Sequence, residues 1–275
     1  MTAATDNLDA RTPPTRASLS PVSAPAADLV AYVGAAAFVM AAVWYGLTAR
    51  FITLAKPPAF NPNAPLDAEL HRWFNWFVTT LPQERLDTGI AIIGFLCLVP
   101  LAAFARDLLG RDRVLARVGS AAMPAGALLW VAGNVLRLGG HQAAGLMATH
   151  HNPVGTVNAI LFTVDTIADA FELAAFAVLG VALLTFAVAG VAGAAVDGPI
   201  GIGGRLGGRV VSRAWCGYSL LLGVVLLALG GAYAADRDLI DPLLVTGGAL
   251  LLPVWLVWTG RLLRTARASQ TRNRA

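Results

Sequence analysis

Six long apolar runs separated by short polar stretches dominate the pattern of this chain. They cover approximately residues 29–48, 86–105, 118–138, 158–189, 214–235 and 242–260. Each is about 20 residues or longer, enough to cross a hydrocarbon core of roughly 30 Å as a helix. Backbone amides in lipid have no water to bond, so each run must close its hydrogen bonds within itself. The expected fold class is therefore all-α: a polytopic membrane protein built as a six-transmembrane-helix bundle, with the transmembrane domain spanning residues 28–263.

Weaker patterns lie outside the runs. Residues 1–27 are rich in Pro, Ala, Ser and Thr without apolar periodicity, which predicts a disordered tail. Residues 264–275 form a short basic tail. Between the first two runs, Lys56-Pro57-Pro58 and Asn61-Pro62-Asn63 are turn material. After them Leu66, Leu70, Trp73, Phe77 and Leu81 recur at helical spacing, with Asp67, Glu69, Arg72 and Asn75 on other faces. This predicts an interfacial amphipathic helix in the first outer loop, acting as an anchor or as a lid over an outward-facing cavity.

The third and fourth runs are interrupted in phase. Asn134, Arg137 and His141 follow Trp130 at spacings of three and four, and Asp165, Asp169 and Glu172 repeat the pattern on the next helix. At about 100° per residue each set falls within an arc of roughly 60°. The joining loop, with His150 and His151, is short, so the two helices should be antiparallel neighbours. Both sets also reach the same depth. Arg137 lies 20 residues beyond Arg117, about 30 Å. The uncharged stretch Leu173–Val196 is 24 residues, about 36 Å, and leaves Glu172 at the outer boundary.

Composition strengthens the membrane assignment. Charged residues are 13% and hydrophobic residues 57%, against about a quarter charged in soluble domains. The pI near 9.6 raises nucleic acid as a partner only until the arginines are placed. Of 20 basic residues, 14 fall in the N-terminal segment, the second and fourth loops and the C-terminal tail. By the positive-inside rule both termini are cytoplasmic, and the expected location is a bacterial inner membrane, with lipid and not nucleic acid as partner. The Gly-rich loop at 197–209 lacks Gly-Lys-Ser/Thr and follows no strand, so it reads as a linker and not a phosphate loop. Cys97 and Cys216 would sit at different depths, where core packing suits them better than a disulfide. Pro100, Pro124 and Pro253 allow kinks, while Gly119, Gly126, Gly223, Gly230 and the Gly247-Gly248 pair allow close helix approach.

What chemistry could the two stripes perform? Arg137 is the available cation for the acidic stripe, so an Arg137–Asp169 or Arg137–Glu172 bridge is expected. Three carboxylates exceed one arginine, and the surplus calls for a proton, a metal, a cationic ligand or water. Asp165, Asp169 and Glu172 offer oxygens suited to Mg²⁺, and His141, His150 or His151 nitrogens suited to Zn²⁺. Neither His-x-x-x-His nor Glu-x-x-His occurs on one helix, however, so no metal is assigned, and the residues name no cofactor. No Gly-x-Ser-x-Gly or other nucleophile signature is present. The leading expectation is a polar pocket of Asn134, Arg137, His141, Asp165, Asp169 and Glu172, partly covered by Trp73. It would bind a small lipophilic or cationic ligand or a membrane partner, with transport or proton coupling. The alternatives are an enzyme acting on a lipid or isoprenoid, with Asp169 or Glu172 as general acid or the acidic face holding Mg²⁺, and a structural subunit of a membrane complex.

Overall fold

The computed structural model describes residues 25–51, 61, 63–110, 113–150, 153–196, 211–235 and 239–272, so most of the expected N-terminal tail and the Gly-rich linker lie outside the described residues. Nearly all of those described are helical, with no strand among them, and six helices are long and apolar enough to cross a membrane. In order they are α1 (Pro25–Phe51), α2 (Leu66–Leu109), α3 (Val114–Thr149), α4 (Val154–Val196) and α5 (Arg213–Ala235). The sixth span combines a short α6 (Ile240–Leu244), a π-helical segment (Val245–Leu251) and α7 (Leu252–Arg272). Each of the first five packs on its successor, and α7 returns to α1 to close the ring.

One expectation needs redrawing. The amphipathic stretch is not a separate helix, because α2 runs unbroken from Leu66 to Leu109 through Pro82. Proline removes one backbone donor and crowds the preceding turn. Just before it, the Thr79 and Thr80 hydroxyls donate to the carbonyls of Trp76 and Phe77. Packing carries the helix onward. Phe74, Phe77 and Leu81 bury against Ala144 of α3 and against Val157 and Leu161 of α4. The three helices thus extend together beyond the length a hydrocarbon core requires, with α4 alone about 65 Å long.

The α3–α4 contact has a seven-residue rhythm. Gly119, Gly126, Gly133 and Gly140 each face α4 so closely that an added Cβ would lie 2.5–2.7 Å from Phe186, Leu179, Phe171 and Val164 respectively. A seven-residue repeat keeps one face toward a partner along a gentle left-handed supercoil. Without a hydrophobic drive between helices in lipid, such close approach is how they gain contact energy. Across α4 and α5, Gly180 and Gly223 approach each other's backbone in the same way.

Helices α5 and α7 are joined by a reciprocal clamp. The Trp215 indole donates to the Thr259 hydroxyl at 3.1 Å, and that hydroxyl donates to the Trp255 carbonyl at 2.8 Å. In return the Trp255 indole donates to Ser219 at 2.9 Å, whose hydroxyl donates to the Trp215 carbonyl, also at 2.9 Å. All four side chains are buried. The π register ends just before Pro253, where the α-helical ladder loses a donor, and the Tyr218 hydroxyl donates to the Leu251 carbonyl there. Cys97 lies against Gly34 and Cys216 against Gly190, both as free thiols.

Candidate functional site

Two apolar clusters are stacked along α2, α3 and α4. The larger includes Phe95, Trp130, Ala175 and Phe176; the smaller includes Leu81, Ala144 and Leu161. Every polar residue singled out on α3 and α4 falls between them. Asn134, Arg137 and His141 lie between Trp130 and Ala144, and Asp165, Asp169 and Glu172 between Leu161 and Ala175. A charged layer is therefore sandwiched between two hydrophobic ones, toward the bundle end opposite the start of α1 and the end of α7.

Arg137 holds the layer together. It donates to Glu172 Oε1 at 2.6 Å and to Asp169 Oδ1 at 2.7 Å, and its Nε lies 3.5 Å from Asp165 Oδ1. Of the two expected bridges, both exist. Asn134 adds a 2.9 Å bond from its amide to the same Glu172 oxygen and another to the Trp130 carbonyl. Trp130 is itself fixed by stacking on Phe95 of α2. Exposure is graded along α4: the side chain of Glu172 is 4% exposed, that of Asp169 21% and that of Asp165 46%. Seven residues, about 10 Å of helix, separate the dry end from the open one.

His141 sits on the open side between two carboxylates. Its Nδ1 lies 2.8 Å from Glu84 Oε1 and its Nε2 2.8 Å from Asp165 Oδ1. A neutral imidazole carries one N–H, yet two contacts to carboxylate oxygens each require a hydrogen. The triad accordingly holds one proton more than a neutral histidine between two ionised carboxylates, either on the ring or on a carboxyl group. The Phe77 ring meets His141 edge-on with centroids 5.0 Å apart, and Trp73 stacks on Phe77 at 5.3 Å. Trp73 therefore reaches the layer through Phe77.

Glu84 was not among the candidates read from the sequence. It lies in Gln83-Glu84-Arg85, just before the second apolar run, a stretch whose polarity reads as loop. Once α2 is continuous, Glu84 follows Leu81 at a spacing of three and faces the layer, with Asp87 a further turn along. Tyr233, near the end of α5, stacks on Phe176 and brings its phenol within interaction range of Glu172. Its place in the sequence resembles any interfacial tyrosine, so only the fold singles it out. His150 caps α3 through its backbone, bonding the Leu146 carbonyl, and His151 lies outside the described residues. The acidic face whose oxygens suit Mg²⁺ by type converges on Arg137. Among the described residues no three His, Cys, Asp or Glu side chains are placed to hold a metal ion.

No family model, curated protein or solved structure matches this chain. Fold and composition define its class: a helical, multi-pass integral membrane protein, with six spans among the described residues.

Proposed function

We propose that the charged layer takes up a small lipophilic cation from the outer side of the membrane in exchange for the extra proton of the Glu84–His141–Asp165 triad. The observation that carries this reading is the charge inventory of one connected network. Four carboxylates (Glu84, Asp165, Asp169 and Glu172) are offset by one arginine and one histidine, and the excess lies at the exposed end beside aromatic rings. Carboxylate charge close to aromatic rings, here Phe77 with Trp73 stacked on it, is the environment that organic cations favour. With the arginine-rich end cytoplasmic, the layer opens outward. Arg137 anchors the dry end, and Asp165 and Glu84 compete between the proton and the incoming cation.

The test is calorimetric titration of the protein in nanodiscs with tetraphenylphosphonium, repeated in buffers of different ionisation heat. Binding should release about one proton, read as a linear dependence of the observed enthalpy on the buffer. Trp73→Leu should weaken binding by roughly threefold to thirtyfold, and Asp165→Asn should weaken it and abolish the proton release. Binding without proton release, unchanged in both variants, would sink the reading.

A further inference from the structure

Away from the charged layer, the outer face of α1 and α7 carries a groove of about 580 Å³ lined by Ala35, Ala36, Val39, Val254 and Trp258 and ending at Arg261. It exists because the two antiparallel helices are drawn together on either side of it. An added Cβ at Gly260 would lie 3.1 Å from Ala31, and one at Gly34 would lie 3.5 Å from Leu256. Alanines on α1 and Pro253 on α7 then leave the space between unfilled. The lining is apolar over its length and polar only at the end shared with Tyr32.

That end is electrostatically uneven. Arg264 is committed: its Nε lies 3.1 Å from Asp28 Oδ2, and its guanidinium lies over the Tyr32 ring at 5.3 Å. Asp28 is thereby used, and among the described residues no carboxylate pairs with Arg261, which is exposed at the mouth. We propose that the groove seats one anionic phospholipid of the surrounding bilayer, an acyl chain along α1 and α7 and its phosphate on Arg261. Three features favour this occupant. From Arg261 to Pro253 is eight residues, about 12 Å, the upper part of an acyl chain. The volume falls within the range of small-molecule sites. The mouth lies at the arginine-rich end of the bundle, where anionic headgroups concentrate against basic residues.

Native mass spectrometry in a non-ionic detergent tests the assignment, with phosphatidylglycerol and phosphatidylcholine of identical acyl chains supplied in equal amounts. One lipid should be retained, with roughly fivefold preference for phosphatidylglycerol. Arg261→Gln should bring that preference to about unity while lipid is still retained, which separates headgroup from chain. Ala36→Phe, which fills the groove from a lipid-facing position, should lose both lipids at an unchanged melting temperature. Equal retention of the two lipids by the wild type, or a preference that survives Arg261→Gln, overturns the proposal. So does a dimer that Ala36→Phe dissociates, since a second copy would then occupy the groove.

Discussion

Arg137 and Glu172 meet at 2.6 Å across the α3–α4 interface, one a fifth exposed and the other almost dry. Breaking such a pair from one side strands a buried charge, which costs more than the pair itself contributes. Arg137→Leu alone should destabilise the protein by about 3–5 kcal/mol. Combined with Glu172→Gln, the double variant should be more stable than Arg137→Leu alone. Thermal unfolding of the four members of this cycle in detergent measures the coupling; additive losses would mean that the two residues do not stabilise each other.

The glycine ladder makes a sharper mechanical prediction. Gly126→Val would place a branched side chain 2.9 Å from the Ala175 carbonyl and against Leu179, so the helices must part. Overpacking of this kind costs about 1–3 kcal/mol. On the same helix Gly139 faces nothing within 4 Å, so Gly139→Ala should change little. Comparing the melting temperatures of the two variants tests whether close approach, and not glycine content, is what α3 requires.

The Trp215–Trp255 clamp should respond as a matched donor–acceptor system. Thr259→Val removes the acceptor of a buried indole N–H and should cost about 1 kcal/mol. Adding Trp215→Phe removes the stranded donor as well, so the second change should cost less in the Thr259→Val background than in the wild type. Equal costs in both backgrounds, measured by thermal unfolding, would show that the indole bonds are not stabilising.

Histidine 141 offers a direct proton count. With ¹⁵N-labelled histidine, the ring nitrogens of His141 should either both appear protonated or show one protonated nitrogen accompanied by a carboxylic acid band in the infrared. Asp165→Asn should change this signature, because the amide can donate to a ring nitrogen where the carboxylate cannot. An unprotonated Nδ1 or Nε2 with no carboxylic acid band would contradict the 2.8 Å contacts on both sides of the ring.

Much of this architecture is legible in the residues themselves. Six apolar runs specify six helices because lipid leaves the backbone no other way to satisfy its amides, and spacings of three and four place each polar stripe on one face. The expected Arg137 bridges follow from charge alone. Gly119 and Gly126 were readable as packing residues, and extending the interval to Gly133 and Gly140 would have shown the whole ladder.

The structure supplies what local pattern does not contain. Pro82 and the polar Gln83-Glu84-Arg85 look like a loop, because propensity is local, whereas α2 continues on contacts that Phe77 and Leu81 make with residues more than 60 positions away. That continuity alone turns Glu84 toward His141 and stacks a second apolar cluster above the charged layer. Likewise, whether Arg137 meets Asp169, Glu172 or both depends on the axial register of α3 against α4. That register is set by glycines seating against bulky side chains, a fit in three dimensions that no single helix encodes.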